Sequence, residues 1–194
     1  MKHPIVLTAI VILLILVTYL TINYDQQIFS AIRAMQNPAL DVVMLMLTSL
    51  ATLYIGVPVI IAILYFTNRK KIVWDLLISL IIGILLTLVL KTVIARPRPD
   101  EILNFGFLVS ATFSSFPSDH ASTAFMIGGV LGHYFKRYKL WLYLLAVLVA
   151  FSRVYLGAHY PTDVLVGAFI GILVSQLVIR YGIGKRVRSL LKRR

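Results

Sequence analysis

Apolar residues run through this chain in long blocks, not at the alternating or three-to-four-residue spacing of half-buried strands and helices. Residues 4–23, 42–66 and 72–90 each hold enough apolar length to cross about 30 Å of hydrocarbon at roughly 1.5 Å per residue. The pattern predicts six membrane-spanning helices: 4–21, 42–66 (with Gly56 and Pro58 inside it), 72–94, 121–135, 140–156 and 163–181. The fourth and fifth are short, since fifteen helical residues reach only ~22 Å. Their ends are therefore expected near headgroup depth. The first block runs past the ~7–15 residues of a signal-peptide core and is read as a retained span. Between the first two spans, Ile28, Ile32 and Met35 recur at helical spacing among Gln26, Gln27 and Arg33, which suits a short helix lying on the membrane. Residues 100–116 form a long connection containing Phe105, Phe107, Leu108 and Phe113. The expectation is an all-α polytopic membrane protein: one domain over 1–194, a bundle of six transmembrane helices with a short interfacial helix.

Composition sharpens this picture. Sixty per cent of the 194 residues are apolar and 13% charged, which excludes an ordinary soluble domain. The net charge of +12 would suggest nucleic acid in a soluble protein. Here the basic residues sit in short segments flanking apolar blocks, at 69–71, 136–139 and in the 180–194 tail, with no base-reading module. Six spans put fourteen Lys and Arg on the side of the termini and five on the other. The asymmetry predicts a multi-pass protein of the cell membrane with cytoplasmic termini. With no cysteine, a disulfide, a thiolate metal site and a catalytic thiol are all excluded.

Once the spans are drawn, polar residues collect at the outer ends of the last four. Lys91 closes the third span, and Arg98 follows in the turn Arg96-Pro97-Arg98-Pro99, where the prolines forbid further helix. Pro117-Ser118-Asp119-His120 opens the fourth span, Ser152-Arg153 closes the fifth, and His159 through Asp163 open the sixth. Each has an ordinary explanation alone: Lys91 could snorkel to the interface, Ser118 could cap a helix, Arg153 could meet lipid phosphate, and either histidine could be hydrogen-bonded there. As a set, three cations, two histidines and a carboxylate at one membrane depth are costly unless they bind an anion or catalyse.

The chemistry such a set permits is narrow. Lys91, Arg98 and Arg153 suit a phosphoryl group, whose transition state spreads charge over its equatorial oxygens. The start of the fourth span adds backbone N–H groups, with the Ser118 hydroxyl as a further donor. His159 and Asp163 are four apart and share a face if that segment is helical, so Asp163 can accept one ring proton and leave the other nitrogen to attack phosphorus. His120 is then available to protonate the leaving oxygen. No Asp/Glu/His set has the look of a two-metal site, so neither metal nor another cofactor is expected and the cations are expected to take that role.

At these residues the chain resembles the type 2 phosphatidic acid phosphatase superfamily of metal-independent lipid phosphate phosphatases. That family's motifs are Lys, six residues, Arg-Pro (Lys91, Arg98-Pro99); Pro-Ser-Gly-His (residues 117–120); and Ser-Arg, five residues, His, three residues, Asp (Ser152-Arg153, His159, Asp163). The motifs cover residues 91–163, and the six-span layout extends the resemblance over the whole chain. The resemblance implies His159 as nucleophile through a phosphohistidine, Asp163 as its partner, His120 as general acid, and Lys91, Arg98, Ser118 and Arg153 as phosphate binders. Asp119 stands where the family usually has Gly. A carboxylate there repels phosphate but favours the helix N-terminus, and it is strained if the position needs positive φ. The variant looks like one seen in bacterial undecaprenyl pyrophosphate phosphatases, which points to a polyprenyl pyrophosphate and makes Asp119 a candidate for tuning substrate choice.

The expected function is therefore hydrolysis of a membrane lipid phosphate or pyrophosphate at the extracytoplasmic face. Phosphatidylglycerol phosphate, phosphatidate and a lipid A phosphate are the alternative substrates. One rival keeps the site and transfers the phosphoryl group to another acceptor. A second, a catalytically silent lipid binder or transporter, has no need of His120, His159 and Asp163 together. Oligomeric state is left open.

Overall fold

A computed structural model of the chain describes residue 19 and residues 23–51, 54–99 and 114–191. These residues form helices α1 (Asp25–Arg33), α2 (Pro38–Ser49), α3 (Gly56–Phe66), α4 (Lys70–Ile94), α5 (Asp119–Tyr134), α6 (Lys139–Tyr155), α7 (Pro161–Tyr181) and α8 (Ile183–Leu191), with a 3-10 turn at Lys136–Tyr138 before α6. No strand occurs among the described residues. The expected first span, apart from residue 19, and residues 100–113 of the expected loop lie outside them.

Helix α5 is the axis of the bundle. Every residue from Ala121 to Val130 is buried, Ser122 and Thr123 included, so this helix is enclosed on all sides. On one side Met126 and Val130 pack with Leu76 and Leu80 of α4 and Ile170, Val174 and Val178 of α7. On the other, Ala121 and Ala124 pack with Ala146, Val149 and Ala150 of α6 and with Phe29 of α1. Helices α5 and α7 approach closely because α7 carries Gly167 and Gly171 one turn apart. A Cβ at Gly167 would lie 2.4 Å from the backbone oxygen of Ser118, the N-cap of α5, and one at Gly171 2.4 Å from that of Ser122. Small residues at such a crossing let backbones touch where no hydrophobic force drives helices together.

The outer faces are apolar as well. Ile81, Leu85, Leu88 and Val89 of α4 and Leu140, Trp141, Leu144 and Leu148 of α6 are exposed. Surface of that extent needs lipid beside it, and this is a membrane protein. By length and composition three described stretches can cross a bilayer: Lys70–Ile94, Lys136–Tyr155 and Pro161–Tyr181.

Two expectations need correction. The single span at 42–66 is instead two shorter helices, α2 and α3. Leu50 and Gly56 come so close together that a Cβ on Gly56 would sit 2.0 Å from the carbonyl oxygen of Leu50. Pro58 falls in the first turn of α3, where its missing N–H has no helical partner to lose. The interfacial helix α1 does not rest on lipid alone. Its Asp25 and Phe29 are buried, Phe29 packing on Tyr160 with ring centroids 5.7 Å apart. The following turn is tied to the end of α6, since the Gln36 amide donates to the Tyr155 carbonyl (2.9 Å) and the Asn37 N–H to the Tyr155 hydroxyl (3.1 Å). Helix α1 therefore sits across the ends of α6 and α7.

Candidate active site

Four helix ends meet beneath α1. Helix α4 stops because Ala95 adopts the left-handed conformation (φ 47) and prolines follow. The chain then doubles back: the Arg96 N–H donates to Ser114 Oγ (3.1 Å) and the Ser115 N–H to the Arg96 carbonyl (2.7 Å). Ser118 caps α5, its hydroxyl accepting from the Ala121 N–H at 3.4 Å. Its own N–H donates to the Asp163 carbonyl (3.0 Å), which ties the starts of α5 and α7 together.

His159 lies in the connection between α6 and α7, not on a helix. Helix α7 begins at Pro161 with Tyr160 as N-cap. The expected one-face helical spacing therefore does not hold, and the two residues are brought together by the capping geometry. The Asp163 carboxylate reaches back to accept the Tyr160 N–H (2.9 Å), leaving its Oδ2 3.7 Å from His159 Nδ1. At 3.7 Å the two form an ion-pair distance and not a hydrogen bond. The partner of Nδ1 is the Ser115 carbonyl, 2.7 Å away. A carbonyl only accepts, so Nδ1 carries the proton and the lone pair is on Nε2. The imidazole is buried, and burial holds its pKa below the ordinary histidine value; nearby Arg153 and Lys91 add to this while Asp163 opposes it.

Lys91 and Arg153 lie within electrostatic range of it. Lys91 is buried, its Nζ donating to the Ser114 carbonyl (3.0 Å) and lying 3.3 Å from Asp119 Oδ2. Arg153 Nη1 donates to Thr48 Oγ1 (3.0 Å), and its Nε is buried with no acceptor among the described residues. A buried donor without a partner costs about 1–3 kcal/mol, and an anion at this spot would satisfy it. Arg98 and His120 lie within electrostatic range of one another, and His120 within range of Lys91, Arg153 and His159. Asp119 is the first residue of α5 and does not have positive φ, so no backbone strain attends the carboxylate. All eight residues singled out from the sequence thus gather at one end of the bundle. Among the described residues, no group of three His, Asp or Glu side chains converges as a metal site would require.

Over residues 72–186, more than half its length, the chain matches the PAP2 superfamily. It belongs to that family. The PAP2 chain is 33% identical over 180 residues to undecaprenyl-diphosphatase of Sulfolobus acidocaldarius, covering 88% of this chain and 86% of that one. It is 36% identical over 171 residues to phosphatidylglycerophosphatase B of Bacillus subtilis, covering 79% and 81%. The crystal structure of a PAP2 type phosphatidylglycerolphosphate phosphatase from Bacillus subtilis superposes with a TM-score of 0.71 at 31% identity, over 94% of this chain and 96% of that one.

Three residues at the site of this PAP2 protein escaped the sequence reading. Arg96 donates from Nη1 to Asp163 Oδ1 (2.9 Å) and to Thr162 Oγ1 (2.8 Å), and from Nη2 to Asp25 Oδ2 (2.9 Å). Asp25 is buried and also accepts the Thr162 N–H (2.9 Å) and hydroxyl. Ser115 supplies the carbonyl on His159. Arg96 looked like one more loop charge, and Asp25 opens a helix, where an acid has an ordinary local explanation. A carbonyl leaves no trace in side-chain identity.

Proposed function

We propose that this PAP2 protein hydrolyses a lipid phosphate or pyrophosphate through a phosphohistidine on His159. The observation that carries the reading is the imidazole itself: Nδ1 is held by the Ser115 carbonyl, which leaves the Nε2 lone pair unused, and the ring lies within electrostatic range of Lys91 and of Arg153, whose Nε has no acceptor among the described residues.

Nε2 attacks phosphorus, the N–P bond forming as the bond to the lipid oxygen breaks. His120 gives its proton to that oxygen. Asp163, 3.7 Å from Nδ1, offsets the positive charge that develops on the ring. Lys91, Arg98, Arg153 and the N–H groups at the start of α5 take up the charge on the equatorial oxygens. Water then attacks the phosphohistidine, passing a proton to the now neutral His120, and inorganic phosphate leaves. The site faces away from the cytoplasm, in keeping with the fourteen-to-five division of basic residues.

The preferred substrate in this reading is a polyprenyl pyrophosphate of the undecaprenyl type. The name of the Sulfolobus acidocaldarius relative supports this. The test is phosphate release by purified protein in detergent from undecaprenyl pyrophosphate, phosphatidylglycerol phosphate, phosphatidate and a lipid A phosphate. Undecaprenyl pyrophosphate should turn over fastest, and His159→Ala should release nothing. Release from none of the four, or equal release by His159→Ala, refutes the proposal.

A further inference from the structure

We infer that Arg96 and Asp25 are positioning residues for His159, and that the interfacial helix α1 is through them a working part of the catalytic site. The inference rests on His159 being the nucleophile.

Two acceptors face Nδ1 of His159, and Arg96 holds both. Its backbone carbonyl accepts the Ser115 N–H (2.7 Å), fixing the residue whose own carbonyl takes the Nδ1 proton. Its guanidinium holds Asp163 Oδ1 (2.9 Å), while the Tyr160 N–H holds Oδ2 (2.9 Å). Asp163 is thereby restrained on both oxygens at 3.7 Å from Nδ1, where it acts by charge and not as the proton acceptor.

The guanidinium is itself fixed. It lies over the Tyr160 ring, 4.0 Å from the centroid, with its other arm on Asp25. A planar fork stacked on a ring and bonded to two carboxylates has one orientation, which a lysine ammonium would not share. Asp25 is a buried carboxylate, costly to place unless fully paired, and it accepts from Arg96 and from the N–H and hydroxyl of Thr162. Thr162 adjoins Asp163 in the first turn of α7. Helix α1 is thus clamped to the residues that aim the nucleophile.

The charge balance makes this testable. Asp25, Arg96 and Asp163 together carry one net negative charge. Arg96→Gln makes it two, favours the imidazolium and raises the His159 pKa. Asp25→Asn makes it zero and lowers that pKa. The double variant restores one. The other groups facing His159, namely Lys91 from α4, His120 from α5 and Arg153 from α6, are the same in every variant, as is Arg98, which lies near His120.

The experiment is the pH dependence of kcat/KM on a short-chain lipid phosphate in detergent, with His159→Ala run alongside. Neutral His159 is the active form, so its titration sets the acid limb. Arg96→Gln should move that limb to higher pH by about one unit, the scale of a neighbouring charge. Asp25→Asn should move it the other way, and the double variant should bring it back near wild type. Arg96→Lys should keep the limb but lower kcat, with KM little changed, since the Arg96 guanidinium is committed to Asp163, Thr162 and Asp25. Shifts of one sign in both single variants, or lower kcat with an unmoved limb, would overturn the inference and leave Arg96 a structural residue. If Arg96→Gln does not fold, Asp25→Asn and the double variant still decide the sign. A His159→Ala enzyme as active as wild type would instead sink the nucleophile assignment itself.

Discussion

Asp119→Asn removes one charge from the phosphate site and nearly nothing else. In the free protein the Asp119 carboxylate lies 3.3 Å from Lys91 Nζ, with the lysine side chain 2% exposed and the aspartate 48%. An arriving phosphate must compete with that carboxylate for the lysine. Coulomb attraction at this separation is about 1.3 kcal/mol in bulk water and about 5 kcal/mol at an effective dielectric of ~20. Water at the half-exposed carboxylate pulls the value towards the lower end, about 1–2 kcal/mol. At ~1.4 kcal/mol per tenfold, freeing Lys91 should lower KM by roughly 5- to 30-fold. A pyrophosphate carries further negative charge towards the same carboxylate, so its gain should exceed that of a monophosphate. The assay is steady-state phosphate release in mixed micelles at fixed ionic strength, on a polyprenyl pyrophosphate and the matching monophosphate, with Asp119→Gly in parallel. Turnover at saturation should change little, because His159 and His120 are untouched. The loss of an acid from the first turn of α5 costs about 0.3–1 kcal/mol of stability, which a melting curve separates from the kinetic effect. An unchanged or higher KM would show that the pair orients Lys91 and does not mask it. Equal gains on both substrates would remove any part for Asp119 in substrate choice.

Further outcomes follow from the same geometry. His120→Ala should lose about 10²–10⁴-fold in the first step on an alkyl monophosphate and least on a nitrophenyl phosphate, whose leaving group needs no proton. Equal single-turnover losses on both would make His120 part of the phosphate cradle instead. Phosphate release should continue in EDTA and be inhibited by orthovanadate, which can adopt the five-coordinate shape; loss in EDTA restored by magnesium would contradict the use of Lys91, Arg98 and Arg153 in place of metal. Single cysteines introduced at Asn104 and Asn68 of this cysteine-free chain should label from outside and only after permeabilisation, respectively; the reverse pattern would turn the protein over.

Much of this protein was legible in the order of its residues. Long apolar blocks determine that it is helical and lies in a membrane, because a chain in hydrocarbon must satisfy its backbone hydrogen bonds within each segment. The residues that gather at one end of the bundle were legible too, since charge at membrane depth is rare and has few uses. Lys91, Arg98, Ser118, His120, Arg153, His159 and Asp163 could be picked out by position alone. What tertiary structure decided was which of their neighbours hold them. That the stretch 42–66 holds two helices, with Leu50 close against Gly56, shows only in the fold. The His159 tautomer depends on a Ser115 carbonyl delivered by the fold-back at Arg96. Asp25, far away in sequence, reaches the site only because α1 packs across α6 and α7. Residue type records what a side chain can donate or accept, whereas its partner, and hence the charge that His159 feels, is settled only when distant segments meet in space.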